Sequence, residues 1–247
     1  MDYAAEIKHL VKATKEFVEP KADGVVIGLS GGIDSSVVAA LCVKALGKDN
    51  VFGVYMPCDS NSQDRADAEL IVDSIDFDCR AVELDNTMHY TVLQTENALC
   101  FHTNKLTQGN IKARLRMTIL YAIASEKNYL VVGTGNKSEI LTGYFTKYGD
   151  GGVDFEPIGA YYKTEVFALA TALNMPQQII DKKPSAGLWD GQTDEEDLGM
   201  TYEELDNILT WGEDTPEKIE KVDKLIKSSR HKRNVPPIIE RKPRGIQ

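Results

Sequence analysis

The chain has no run of about 18 apolar residues, which a membrane-crossing helix would need. Its first residues, Met1-Asp2-Tyr3-Ala4-Ala5-Glu6, form neither a basic leader nor an apolar stretch. No membrane partner is expected, and the expected location is cytoplasmic. Positive charge is also in deficit: 28 Lys and Arg stand against 38 Asp and Glu, a net charge of −10. A nucleic-acid coat protein normally presents a basic face to displace phosphate counterions, so no nucleic acid is expected as a partner. One segment reverses the trend, with Lys227, Arg230, Lys232, Arg233, Arg241, Lys242 and Arg244 against the single acid Glu240. From charge alone it reads as a solvated helix end and tail. Cysteine is scarce and scattered. Cys42, Cys58, Cys79 and Cys100 lie too far apart for a Cys-x-x-Cys metal or redox pair and mark no disulfide framework, so they read as small buried hydrophobes.

What is present is ordinary globular composition. Hydrophobic residues make up 42% of 247 residues, which excludes a disordered chain and suffices for one large core. One domain over residues 1–247 is expected, with no internal repeat or low-complexity tract. Short β-branched runs, 25–29, 51–56, 79–84 and 130–133, alternate with segments of helical period, the mark of βαβ units around a parallel sheet. Val37, Val38, Leu41 and Ala45 mark a helix that Gly47 can end; Ser62-Gln63-Asp64 opens a second through Leu70 and Ile71; Ile111, Leu115, Ile119, Ala122 and Ile123 mark a third. Right-handed crossovers then give a doubly wound α/β sheet with helices on both faces. Beyond Gly133 the glycines Gly143, Gly149, Gly151, Gly152 and Gly159, with Pro157, make residues 142–160 a loop. A helix from Lys163 to about Asn174 follows, then a second loop over 182–191, the acidic Asp194-Glu195-Glu196-Asp197, and two amphipathic helices near 201–210 and 215–229.

Between the first strand and first helix lies Gly28-Leu29-Ser30-Gly31-Gly32-Ile33-Asp34-Ser35-Ser36. In an open α/β sheet this is the ligand-binding end. Adjacent glycines flanked by small hydroxyl residues let backbone N–H groups turn inward as an anion nest, to which the helix N-terminus adds positive partial charge. An oligophosphate fits there. A Walker A loop would need a lysine after its last glycine, where this chain has Ile33, and Gly-x-Gly-x-x-Gly is absent. The Asp34 carboxylate would repel a bare phosphate, so its place implies a bridging Mg²⁺. The simpler reading, a glycine turn before a serine-capped helix, is disfavoured by the strand-turn-helix context.

The pattern resembles the Ser-Gly-Gly-x-Asp-Ser loop of the N-type ATP pyrophosphatases, whose fold is adenine-nucleotide alpha-hydrolase-like and which split ATP into AMP and pyrophosphate. Downstream, Phe145-Thr146-Lys147-Tyr148-Gly149-Asp150-Gly151-Gly152-Val153-Asp154 closely resembles a loop of the ammonia-dependent NAD synthetases. In the same family order come Gly133-Thr134, Lys163, Lys182-Lys183-Pro184-Ser185-Ala186-Gly187-Leu188, Asp194 to Tyr202, and His231-Lys232-Arg233. Departures are Ile33 where many members carry Gln, Ser185 where many carry Thr, and Gly135-Asn136-Lys137-Ser138 where many have Asp-His-Ala-Ala. Ser185 keeps the hydroxyl; the other changes leave contacts to adenine or ribose open.

The resemblance implies specific roles. Gly28, Leu29, Ser30, Gly31, Gly32, Ile33, Asp34 and Ser35 would hold the ATP phosphates, Thr134, Lys163 and Ser185 would contact ATP, and Asp34 and Glu139 would bind Mg²⁺. Arg114, Lys147, Asp154, His231 and Lys232 match positions that hold deamido-NAD, several across a homodimer interface. Taken singly, Arg114 and Arg116 read as one exposed helix face and Lys163 as a surface lysine at a helix start. The implied reaction is ATP-dependent amidation: the nicotinate carboxylate attacks the α-phosphorus, Lys163 and Mg²⁺ offset charge on the departing pyrophosphate, and ammonia displaces AMP. Asp150, at the tip of a lid-like loop, would accept a proton from ammonium. Free ammonia is the expected nitrogen source, because the synthetase pattern leaves no room for a glutaminase domain. Two other readings are a tRNA-modifying adenylating enzyme, which would want a basic RNA face or catalytic cysteines, and a non-catalytic ATP-binding module, which would need neither Glu139 nor Lys163.

Overall fold

A computed structural model describes residues 1–58, 62–189 and 191–239. Glu240, Arg241, Lys242 and Arg244 of the basic segment, and position 190 of the second loop, lie outside the described residues. The four β-branched runs form β1 (Gly24–Leu29), β2 (Val51–Tyr55), β3 (Asp78–Ala81) and β4 (Tyr129–Val131), paired in parallel in the order β3-β2-β1-β4. Val25 pairs with Val51 on one side and Leu130 on the other, so β1 is central. Its Val25, Val26 and Ile27 are fully buried, as a strand covered on both faces requires.

The helices are α1 (Tyr3–Val18), α2 (Ile33–Leu46), α3 (Ser62–Ile75), α4 (Asp85–Leu99), α5 (Lys105–Lys127), α6 (Lys137–Thr142), α7 (Lys163–Ala172), α8 (Gln177–Ile180), α9 (Asp194–Leu198), α10 (Tyr202–Trp211) and α11 (Pro216–Ser229). Alternate β1 residues belong to different apolar clusters. Val25, Ile27 and Leu29 pack with Val37, Leu41, Val166 and Leu169 of α2 and α7. Val26 packs with Met88 and Ala124 of α4 and α5. Helices therefore cover both faces. α2 is apolar all round because it is enclosed by the sheet, α1 and α7. Gly47 ends it at φ 82°, as predicted. Gly28 lets α5 approach: a Cβ there would lie 3.4 Å from a methyl of Leu120. A third cluster, including Leu198, Leu205, Ile208 and Val222, joins α9, α10 and α11.

From β1 the chain winds outward through β2 and β3, then returns to place β4 on the opposite side of β1. The carboxyl ends of β1 and β4 thus form the topological switch point, where open α/β sheets take ligands. Much of the 142–160 segment is closely folded. Gly149 N and Gly151 N donate to Thr146 O at 2.9 and 3.3 Å, and Phe155 bridges in parallel to Val132 beside β4.

Two expectations need correction. Cys42 and Cys58 are buried, but Cys79 is half-buried and Cys100 is exposed, closing α4 in a left-handed conformation. Nor are all the basic residues after α11 solvated. Arg233 donates to Ile140 O and Leu141 O at 2.9 and 2.8 Å, satisfying carbonyls near the C-terminal end of α6. Lys232 Nζ donates to Gly143 O and Phe145 O at 2.7 and 2.6 Å. Among the described residues, no helix is long and apolar enough to cross a membrane.

Candidate active site

The turn after β1 enters α2 through Gly31 at φ 72°, where any Cβ would come within 2.8 Å of Asp64 O. Ser35 and Ser36 hydroxyls donate to Gly32 O at 3.0 and 2.7 Å, pinning the turn. Two of its own N–H groups are engaged: Ser30 N donates to Ser35 Oγ at 3.4 Å and Gly32 N to Ser30 Oγ at 3.2 Å. The nest is therefore narrower than predicted. The first-turn N–H groups of Ile33, Asp34 and Ser35 have no intrahelical acceptor, and no side chain among the described residues caps α2. Leu29 and Ile33 send their side chains into the core, so only their backbone can face a ligand. Lys182 braces the turn from the second loop, donating to Asp67 at 2.6 Å, Asp64 at 3.0 Å and Gly31 O at 3.4 Å.

Beside this helix end lies a cluster of charge. Lys163 Nζ is 2.5 Å from Asp34 Oδ2 and 3.6 Å from Glu139 Oε1, although only 2% of the lysine side chain is exposed. This is no surface lysine. Asn136 donates to Asp34 Oδ1 at 3.0 Å and also caps α6, where Glu139 returns a bond to Asn136 N. Burial and the nearby Asp34 push the Glu139 carboxyl well up, with Lys163 opposing. Burial alone would lower Lys163, but Asp34 and Glu139 outweigh it and hold the ammonium charged. Asp194 stands behind, buried, with Oδ2 accepting from Tyr202 OH at 2.9 Å and Oδ1 unpartnered among the described residues. Burial raises its carboxyl, and Lys163 pulls the other way.

Residues with no motif in the sequence fix Lys163 in place. Lys163 N donates to Ser138 Oγ at 3.0 Å, Ser138 Oγ bonds Asp206, and Asp206 accepts from Thr164 N and Oγ1 at 2.9 and 2.8 Å. Asp206 lies on α10, far along the chain, so no local periodicity announces it.

The other expected positions are distributed unevenly. Thr134, Glu139, Phe145, Asp150 and Glu156 line an enclosed cavity of about 40 Å³ beside the cluster. Dense protein around Asp150 raises its carboxyl although part of it meets solvent; the Thr146 N–H that donates to it at 2.9 Å, then Lys232 and Arg116, act in the opposite sense. Arg114 donates twice to Lys147 O at 3.3 Å, which joins α5 to the loop. Arg116 turns away from Arg114 and donates to Met56 O at 3.1 Å, so the two do not share an exposed face. Asp154 accepts from Val131 N at 2.7 Å and Tyr121 OH at 3.1 Å. Ser185 and His231 are exposed. No hydrogen bond or ion pair among the described residues joins Arg114, Ser185 or His231 to the Lys163 cluster. The described residues hold no group of three metal-type side chains. Two adjacent carboxylates completed by substrate phosphates nevertheless suit Mg²⁺, which favours that donor set.

The parallel sheet with helices on both faces, with an open helix N-terminus at its switch point, places the chain with its structural neighbours among the N-type ATP pyrophosphatases. The comparisons narrow this class. The family model "NAD synthase" matches residues 6–236, and the chain belongs to that family of ATP-using ligases. An "NH(3)-dependent NAD(+) synthetase" of Syntrophomonas wolfei is 44% identical over 241 residues, with 96% of each chain covered. The solved structure of an NMN synthetase from Francisella tularensis matches with a TM-score of 0.91 at 36% identity, covering 97% of this chain and 99% of the other. The NH3-dependent NAD synthetase of Campylobacter jejuni matches with a TM-score of 0.81 at 35% identity, over 97% and 100%.

Proposed function

We propose that the chain is an ammonia-dependent NAD synthetase, converting deamido-NAD, ATP and ammonia to NAD, AMP and pyrophosphate. The observation that carries this reading is the buried Lys163 between Asp34 and Glu139, next to the uncapped start of α2. A carboxylate cannot release oxide to an amine, so it must first be activated. The nicotinate carboxylate attacks the α-phosphorus of ATP in line, the N–H groups of residues 33–35 hold the phosphates, and Lys163 offsets charge gathering on the departing pyrophosphate. Bound at Asp34 and Glu139, Mg²⁺ would supply further charge neutralisation. Thr134 and Ser185 belong to the nucleotide side of the site, and Arg114, Lys147, Asp154, His231 and Lys232 to the dinucleotide side. In the second step ammonia attacks the acyl-adenylate and AMP leaves, with Asp150 as proton acceptor at the small cavity.

A homodimer is part of this reading. Its support is a group of exposed apolar residues on α4, the turn that follows and the start of α5, Tyr90, Leu93, Leu99, Phe101 and Leu106, on the side of the sheet that bears Arg114. Incubation with ATP, Mg²⁺, deamido-NAD and ammonium chloride is expected to yield equal amounts of AMP, pyrophosphate and NAD; ADP in place of AMP would overturn the assignment. The likeness to an NMN synthetase gives a second reading, in which the acid is the corresponding mononucleotide. A kcat/KM higher for nicotinate mononucleotide than for deamido-NAD would favour it.

A further inference from the structure

The second step releases two protons, and one carboxylate can hold only one of them at a time. Ammonium carries four hydrogens and the amide keeps two. One proton must leave before the nitrogen lone pair can attack, and another as the tetrahedral adduct collapses. Asp150 alone cannot hold both.

The enclosed cavity beside Asp150 measures about 40 Å³, ample for one molecule the size of water or ammonia. Asp150 Oδ1 already accepts from Thr146 N at 2.9 Å, and the other acidic side chain that lines the cavity with Glu139 and Asp150 is Glu156. Three glycines make room for that side chain. A Cβ on Gly133 would come within 2.8 Å of Glu156 Cγ, one on Gly135 within 2.8 Å of Glu156 Oε1, and one on Gly159 within 3.2 Å of Glu156 Cβ. The half-buried carboxylate makes no hydrogen bond or ion pair among the described residues. Asp150 acts on it across the cavity and Glu139 forms part of the same wall, so no cation among the cavity's lining residues answers it. Lys232 and Arg116, by contrast, both act on Asp150. Burial, reinforced by Asp150, pushes the Glu156 carboxyl up to about 7.

Resting on the synthetase reading, we propose that Glu156 is the second proton acceptor of the ammonia subsite and takes the first proton from an ammonium ion held between Glu156 and Asp150. Ammonium and the Glu156 carboxylate become ammonia and a carboxylic acid. The ammonia lone pair attacks the acyl carbon and forms the C–N bond. The bond from that carbon to the AMP oxygen breaks, its electron pair leaving with AMP. Asp150 takes the second proton from nitrogen. Glu156 acts first because no cation opposes its protonation, whereas Lys232 and Arg116 oppose that of Asp150.

The test compares the wild type with Glu156→Gln in two assays: ATP–pyrophosphate exchange dependent on deamido-NAD without ammonium, and NAD formation against ammonium chloride from pH 6.5 to 9. The variant is expected to keep exchange within about twofold of wild type while kcat/KM for ammonium at pH 7 falls about 10²-fold. That deficit should shrink towards pH 9, where more nitrogen arrives as free ammonia and needs to lose only one proton. Unchanged kcat/KM for ammonium, or parallel loss of exchange in a folded variant, would overturn the proposal. If Glu156→Gln does not fold, Glu156→Asp decides: loss confined to the ammonium step supports the role, and equal loss in both assays ends it. A wild-type protein with no exchange dependent on deamido-NAD would instead overturn the synthetase reading itself, whatever Glu156 does.

Discussion

A lysine with 2% of its side chain exposed must be answered by negative charge, and Lys163 has Asp34 at 2.5 Å and Glu139 at 3.6 Å. Removing the cation leaves two crowded carboxylates with Asn136 as a neutral donor but without the countercharge that Lys163 supplies. Lys163→Met is expected to lower the unfolding free energy by about 3 kcal/mol, seen as a lower urea midpoint, because breaking a buried pair costs more than the pair contributes. The same variant should slow ATP–pyrophosphate exchange by about 10²-fold or more, since it removes charge that answers the leaving group. Glu156 offers a pH test without substrates. Its carboxyl, about 7 in the folded protein, lies above its ordinary value, so the folded state holds the proton more tightly than the unfolded one. That contribution to stability is complete at low pH and is lost as pH rises towards 7, a change of up to about 3 kcal/mol for a group this buried. Urea unfolding between pH 4.5 and 8 is therefore expected to show wild type losing stability relative to Glu156→Gln as pH rises. A constant difference would mean that burial does not hold the proton there.

The junction of α6, α7 and α10 is where elements, not single residues, fix the site. Asp206 of α10 holds the first residues of α7, directly through Thr164 and through Ser138 at the start of α6. Asp206→Ala leaves these buried donors unanswered and should cost about 3 kcal/mol, against about 1 kcal/mol for Thr164→Val, which removes one hydroxyl bond. Denaturant titrations of the two variants check the ratio. This junction was illegible in the sequence, because Ser138 and Asp206 meet only when distant segments pack. β1 and β2 were legible for the opposite reason: a parallel strand buried on both faces must be a continuous apolar run, whereas the edge strand β3, Asp78–Ala81, is largely exposed. α4 escaped notice because it buries only Met88 and so shows little period, and the acidic stretch that forms α9 was given no element although acids favour a helix N-terminus. The turn at residues 28–36 was recognisable because its chemistry is local. The burial of Lys163 and the free carboxylate of Glu156 depend on distant neighbours and were not.

At the scale of the whole molecule, the synthetase reading proposed above requires a surface for the dinucleotide. Arg114 is exposed on α5, and Asp154 and Lys232 are bonded within their own protomer, so the chain alone presents a thin surface to a second nucleotide. Exposed apolar surface on the same side of the sheet lies on α4 and its following turn, where Tyr90 and Phe101 are each 64% exposed. Burying such side chains in a twofold contact would contribute about 1.5–3 kcal/mol apiece, enough over several residues to hold two copies together. With a protomer of 27.4 kDa, sedimentation equilibrium is expected to return twice that mass. Leu93→Arg places a charge in the contact and should give monomers. If the partner completes the dinucleotide side, the monomers should bind ATP with nearly unchanged affinity while KM for deamido-NAD rises about tenfold or more, the equivalent of about 1.4 kcal/mol. A Leu93→Arg protein that sediments as a dimer with normal kinetics would move the contact to another face.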